Sequence, residues 1–243
     1  MLKLAVALMF IFSCGSLMHK KKDIIRAIRV SQNFPFIDST GKLLGYDTTQ
    51  NVNIYYYGDQ VLYRDFYKWD TYVDGIRVKA EIRESFFVFT KGKTFGYLYD
   101  TTKKAFEIKI SVDSMLQKQW YNYTNYSSAS LTQLSEQYNA DSGILCKVFT
   151  IKGKQDTTMT GSTFLWYTNR LPWVDYALIK EVDTVKNMKL FKTRDITNSR
   201  YLKEYNITLD TIEQTFDMRE ITVTNPEEIL YYFDREKKYN TKD

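Results

Sequence analysis

Five carboxylates fall between positions 65 and 84 of this chain: Asp65, Asp70, Asp74, Glu81 and Glu84. Two carboxyl groups flanking a bond are what glycoside hydrolysis requires, one acting as acid and the other as base or nucleophile. Their spacing alone sets no two of them across a cleft. Other catalytic chemistry has fewer candidates still. The only histidine is His19, so a His-dependent triad, a Cys–His pair and His-based metal sites are excluded. Glycine-rich phosphate loops, nucleophile elbows and EF-hand loops are absent. Glu227 and Glu228 follow Asn225-Pro226 and read as the start of a helix. The chain is therefore expected to be no enzyme, with no catalytic residue, no metal site and no cofactor.

A repeated tripeptide carries a second kind of chemistry. Asp, then Ser or Thr, then a small apolar residue or Thr begins at Asp38, Asp47, Asp100, Asp113, Asp156, Asp183 and Asp210. Composition alone would give roughly one such match. Most fall at expected turns, where Asp caps and a hydroxyl bonds the backbone. The pattern also resembles an acceptor for bacterial periplasmic O-glycosylation. The acceptors would then be Ser39, Thr48, Thr101, Ser114, Thr157, Thr184 and Thr211.

The two cysteines divide by position. Cys14 closes an apolar run, residues 4–12, that follows Lys3 and is too short to span a bilayer. Ile11-Phe12-Ser13-Cys14-Gly15 resembles a bacterial lipobox, whose cysteine is lipidated after cleavage. Several acyl chains on Cys14 would make a stable anchor. Lys20, Lys21, Lys22, Arg26 and Arg29 could meet anionic head groups. No acidic cluster follows Cys14, which favours a face turned to the periplasm. Cys146, in an apolar strand without a basic partner, reads as a small buried hydrophobe. The expected organisation is a signal peptide over 1–13, an anchor and tether over 14–30, and one β-rich domain over 31–243.

Stepping from these residues to what must hold them, the chain has 243 residues, with 20 Tyr and 15 Phe but only three Pro and ten Gly. Such aromatic and β-branched content suits pleated, half-buried surfaces. The net charge of +5 lies partly in the N-terminal tract and does not point to nucleic acid. Residues 144–151 and 163–167 form an apolar hairpin, expected at the centre of a sheet covered on both faces. Residues 23–30 fit a short helix or a first strand, and 39–51 read as a loop. Residues 52–57 and 61–69 pair across Gly58-Asp59. Ile76, Val78, Ala80 and Ile82 alternate with Arg77, Lys79, Glu81 and Arg83, predicting one buried and one wet face. Strands through 86–89, 95–99 and 106–112 complete a meander of antiparallel neighbours.

A short helix is expected over 113–120, capped by Asp113, with Met115, Leu116 and Trp120 on one stripe. A loop follows over 121–130, and 131–138 fits strand or helix. Residues 176–182 and 188–192 are expected to pair, and Tyr205, Ile207 and Leu209 alternate. Asn225 and Pro226 open a last helix, closed by Lys237 and Lys238. The fold class is mainly β (α+β): a large antiparallel sheet with one or two short helices packed on it.

Gly143, Cys146 and Lys147, a spacer with Gly153 and Lys154, then Leu165-Trp166-Tyr167-Thr168 and Leu171-Pro172 resemble, at a distance, the GLPGLI family. That family places a GY-x-C-x-K-A strand before an AWYT strand and an IP segment. The match covers about 30 residues. The Gly-Leu-Pro-Gly-Leu-Ile stretch is missing, and Trp173-Val174-Asp175-Tyr176 stands where it would follow. The resemblance implies an envelope protein with a curved, half-barrel-like sheet, and it supplies no active site. Together these features predict a lipid-anchored envelope protein that binds an apolar ligand or a protein partner, with Trp69, Trp120 and Trp173 as contacts. The membrane is then a partner through the anchor, and nucleic acid is not one. The alternatives are an envelope hydrolase acting on glycans through carboxylates, and a structural or adhesion module.

Overall fold

The computed structural model describes residues 24–37, 43–74, 76–100, 105–119, 131–139, 143–151, 162–177, 183, 187–198 and 211–240. Eleven strands form one antiparallel sheet: β1 (Arg26–Ile37), β2 (Leu43–Tyr57), β3 (Gln60–Val73), β4 (Ile76–Thr90), β5 (Phe95–Asp100), β6 (Ala105–Ser111), β7 (Leu131–Asn139), β8 (Ile144–Ile151), β9 (Ser162–Thr168), β10 (Lys189–Asn198) and β11 (Thr211–Ile221). Among the described residues two helices accompany it, α1 (Val112–Gln119) and α2 (Pro226–Asn240). The mainly β class with short helices is what the alternation predicted.

The strand order is β6-β5-β4-β3-β2-β1-β11-β10-β9-β8-β7. Two meanders therefore join through β1, which pairs β2 on one side and β11 on the other. This corrects the expected centre. The middle strand is β1, and the apolar hairpin β8–β9 lies towards one edge, with only β7 beyond it. Its two-sided burial is partial, because Cys146, Val148 and Phe149 are buried while Leu145 is 55% exposed. Residues 26–30, which the tether was expected to include, belong to β1, a strand and no helix.

Three further expectations change. Residues 43–51 are strand, not loop: Gly45, Asp47 and the threonines read as turn residues, but the ladder with β1 carries on past them with register shifts. Residues 174–177 form no strand, and β10 pairs β9 instead. The cap of α1 is Ser111, whose Oγ accepts the Ser114 N–H at 3.3 Å, and Asp113 sits in the first turn. Residues 131–139 resolve as strand because β8 pairs them along their whole length.

The sheet has a core on each face. One gathers Ile28, Val52, Ile54, Tyr63, Phe87, Leu165, Tyr167, Phe216 and Met218, with Val112 and Leu131 near the two edges. The opposite face carries Ala27, Tyr55, Leu62, Phe86, Val88, Tyr97 and Tyr99, covered by Ile229, Tyr232 and Phe233 of α2. Phe86 stacks on Tyr232 at 4.5 Å and Tyr57 on Phe233 at 5.9 Å. Asn225 caps α2 as expected: its Oδ1 accepts the Glu228 N–H at 3.3 Å. The second-last turn is pinned by Glu236, fully buried, which accepts hydrogen bonds from Gln60 Nε2 at 2.8 Å and Thr90 Oγ1 at 3.0 Å.

Candidate functional site

Two regions stand out, one at each end of the sheet. We call the end with α2 and the β2–β3 turn the foot. Away from it, the neighbours of β3 and β4 drop off. β2 pairs β3 only up to Asn51↔Phe66, and β5 pairs β4 only over Phe86–Val88. The β3–β4 ladder continues to Val73↔Ile76. Past Phe66 and Ser85 the two strands thus form a ribbon paired to each other alone among the described ladders.

Alternate residues of β4 share a face, so Ile82, Phe86 and Val88 form one stripe, and Val78 lies beyond them at a bulge where the ladder steps from Thr71↔Lys79 to Tyr72↔Arg77. At the foot this stripe is covered by α2: Phe86 is 2% exposed and Val88 0%. On the ribbon it is bare, with Ile82 76% exposed, and Val78 at the bulge is 57% exposed. The face predicted to be buried, Ile76 to Ile82, is thus open at Val78 and Ile82, and burial begins further along, at Phe86. The boundary is the N-terminus of α2, where Arg64 lies 2.9 Å from Glu84 and 3.5 Å from Glu228. Desolvation works against the Arg64 charge, but Glu84 and then Glu228 raise its pKa.

The carboxylates do not converge. Asp65 faces the side opposite Glu84, since Asp65 pairs Ser85 while Glu84 pairs Phe66. Glu81 shares the Asp65 face but lies four residues further along β4 than Ser85. At about 3.3 Å per residue that is roughly 13 Å, beyond the separation of paired carboxylates in either glycosidase geometry. Glu81 is also held between Lys79 and Arg83, whose hydrogen bonds lower its pKa. Burial raises Asp65 to about 6. Asp74 sits at the exposed tip with φ 50°.

The second region is a pocket at the foot, between β9 and β10. After β9 the chain crosses the sheet face. Leu171, Val174 and Tyr176 are buried in the core, Trp173 meets Tyr56 edge-on at 5.4 Å, and Asp175 pairs Lys91. Beside this crossing lies a cavity of about 220 Å³, lined by Thr168, Asn169, Leu171, Pro172, Val174, Asp183, Asn187, Met188 and Lys189. A smaller one of about 80 Å³ adjoins it through Thr168, Asn169 and Met188 and reaches Leu145, Cys146 and Tyr167. Asp183 is 8% exposed. Its Oδ1 accepts the Leu190 N–H at 3.1 Å, and Lys189 Nζ lies 3.0 Å from its Oδ2. Burial pushes the Asp183 carboxyl up, against the pull of Lys189 and the Leu190 N–H. Burial likewise raises the Cys146 thiol, whose Sγ donates to the Gln137 carbonyl at 3.2 Å, so no reactive thiolate is prepared there.

Of the predicted contacts, Trp69 lies on the ribbon opposite Glu81. Trp173 is half-buried, with the Arg26 guanidinium 3.8 Å above its ring, and belongs to the packed crossing. Trp120 lies outside the described residues, as do Cys14, His19, Ser39, Thr101, Thr157, Thr184, the alternation at 205–209 and the loop at 121–130. Thr48 lies in β2 and Thr211 opens β11. Ser114 is exposed on α1. Among the described residues, no group of three or more His, Cys, Asp or Glu could hold a metal ion. The sequence reading had not singled out Asp183 with Lys189, or Asn187. The only signal was Asp183 within the tripeptide pattern.

No protein-family model matches the chain. No curated protein matches it. A crystal structure described as an outer membrane lipoprotein-sorting protein domain, from Vibrio parahaemolyticus, is similar over 86% of this chain and 91% of that one, at 9% identity and a TM-score of 0.24. A likeness at that score decides nothing about this chain.

Proposed function

We propose that the chain is a lipid-anchored protein of the bacterial envelope, facing the periplasm, which docks a protein partner on the bare stripe of the β3–β4 ribbon and makes no bonds. The observation that carries the reading is the stripe itself, with Phe86 and Val88 sealed by α2 and Ile82 left open, followed by exposed Val78 at the bulge. A two-stranded ribbon is marginal in water by itself, so a partner that continues the cover of α2 stabilises it as it binds. The partner is a protein and not an anionic lipid surface. From position 67 to 84 the ribbon balances Lys68, Arg77, Lys79 and Arg83 against Asp70, Asp74, Glu81 and Glu84, whereas head groups attract a net basic surface. An apolar ligand is a poorer fit, because the opposite face is filled by the chain's own side chains.

A photo-crosslinking residue at Val78, in the cell that makes the protein, tests this. A discrete protein adduct that disappears in Ile82→Asp is expected; labelling of lipid alone removes the reading. The anchor has its own test: Cys14→Ser should move the protein out of the membrane fraction and abolish fatty-acid labelling. The distant GLPGLI-like resemblance of residues 143–172 agrees with this placement. For O-glycosylation, Ser114 is an acceptor with an exposed side chain. An intact mass equal to polypeptide plus lipid would exclude it.

A further inference from the structure

We infer that the foot pocket is a binding site for a neutral, hydroxyl-bearing ligand of about one sugar ring, separate from the ribbon surface. Size sets the first limit. At about 220 Å³ the cavity falls below the roughly 300–1,000 Å³ typical of sites for drug-sized molecules, and the adjoining 80 Å³ leaves room for one small substituent.

Charge sets the second limit. Among the described residues each cavity carries one acid and one base, and the two are paired. Asp183 and Lys189 are 3.0 Å apart, and Glu136 and Lys147 are 3.2 Å apart. A charged ligand would have to break a pair, and in the first of them both side chains are largely out of water. A neutral ligand leaves both intact.

The remaining hydrogen-bonding groups fit hydroxyls, which both give and accept. Lys189 Nζ donates one N–H to the Tyr176 carbonyl at 2.9 Å and stands 3.0 Å from Asp183 Oδ2 as an ion pair. Asn169 and Asn187 line the same cavity with exposed side chains, each amide supplying donor and acceptor. Thr168 is committed, since its Oγ1 donates to the Leu145 carbonyl and accepts the Arg170 N–H. Tyr167 borders the smaller cavity but is fully buried, so its hydroxyl offers no surface to a ligand. Leu171, Pro172, Val174 and Met188 add apolar lining for the C–H face of a ring.

The test titrates the full chain in detergent micelles with three pyranoses of different charge, following the Met188 methyl resonance. N-acetylglucosamine is neutral, glucosamine cationic and glucuronate anionic. The expected result is a saturable shift with N-acetylglucosamine and a response to the two charged sugars weaker by about tenfold or more. Asn187→Gly removes one amide and suits the left-handed backbone there, φ 48°. It should weaken N-acetylglucosamine by about tenfold at an unchanged melting temperature. A response to the charged sugars alone, to none of the three, or one unchanged in Asn187→Gly overturns the assignment. None of these outcomes bears on the ribbon, which the Val78 cross-link reads separately.

Discussion

The same two strands are built differently at their two ends. At the foot, β3 and β4 have neighbours on both edges and cover on both faces. Beyond Phe66 and Ser85 they have each other and solvent. Strand-forming residues continue along the way, although 76–82 alternate apolar with charged while 86–89 are apolar on both faces. What changes is the cover, and it stops where α2 begins. Alternation thus marks a face able to be buried, while burial is decided by a helix more than a hundred positions away in the chain.

That contrast can be broken from either side. The largest effect belongs to the covered half. Phe233→Ala removes the most enclosed ring of α2 and should lower the unfolding free energy by about 3–5 kcal/mol in denaturant titration. Next is the close approach of β5 to β4. A Cβ at Gly96 would lie 2.7 Å from the Phe87 ring and from the Val88 carbonyl oxygen. Gly96→Ala should therefore cost about 1–3 kcal/mol by the same measurement.

Asp65, at the border of the two halves, gives a smaller and pH-dependent effect. Its pKa rises from 3.8 to about 6 on folding, mainly through burial, against a hydrogen bond from the Phe66 backbone. The folded state thus holds the proton more tightly. This contribution is fully present below pH 4 and is lost as pH rises through 6. Asp65→Asn should gain about 1 kcal/mol over the native chain at pH 7, partial solvent access trimming the full shift. The gain should vanish near pH 3.5, as melting curves across that range would report. The smallest effect on stability is expected on the bare half. Ile82→Asp should stay within about 0.5 kcal/mol of the native chain while eliminating the Val78 adduct. A loss as large as that of Phe233→Ala would mean that the ribbon is part of the core.

Much of this architecture was legible in local signals. Gly58-Asp59 between aromatic runs marked the β2–β3 turn, and Gly58 takes φ 56° there. Asn225-Pro226 marked the start of α2 through the capping chemistry that the structure contains. Long-range pairing was not legible. Residues 26–30 carry a mixed pattern that fits helix or strand, and only β2 and β11 together make them the middle of the sheet. The foot pocket was half visible. Thr168, Leu171 and Pro172 were marked by the family resemblance, whereas Asp183 carried only the tripeptide signal and Lys189 none, until the fold brings them to 3.0 Å. The carboxylates between 65 and 84 looked like a cluster in one dimension, and the period of two along a strand sends Asp65 and Glu84 to opposite faces.

The placement of β1 also has a mechanical consequence. Any tension arriving through the residues before Ile24 enters the middle strand and not an edge. Both flanking ladders, Ala27↔Ile221 through Asn33↔Thr215 and Arg26↔Tyr56 onward, run along the direction of that pull. Their hydrogen bonds must then be sheared together and cannot be unzipped one by one. A body tugged by a membrane from that end would resist being pulled apart far better than one held through β6 or β7.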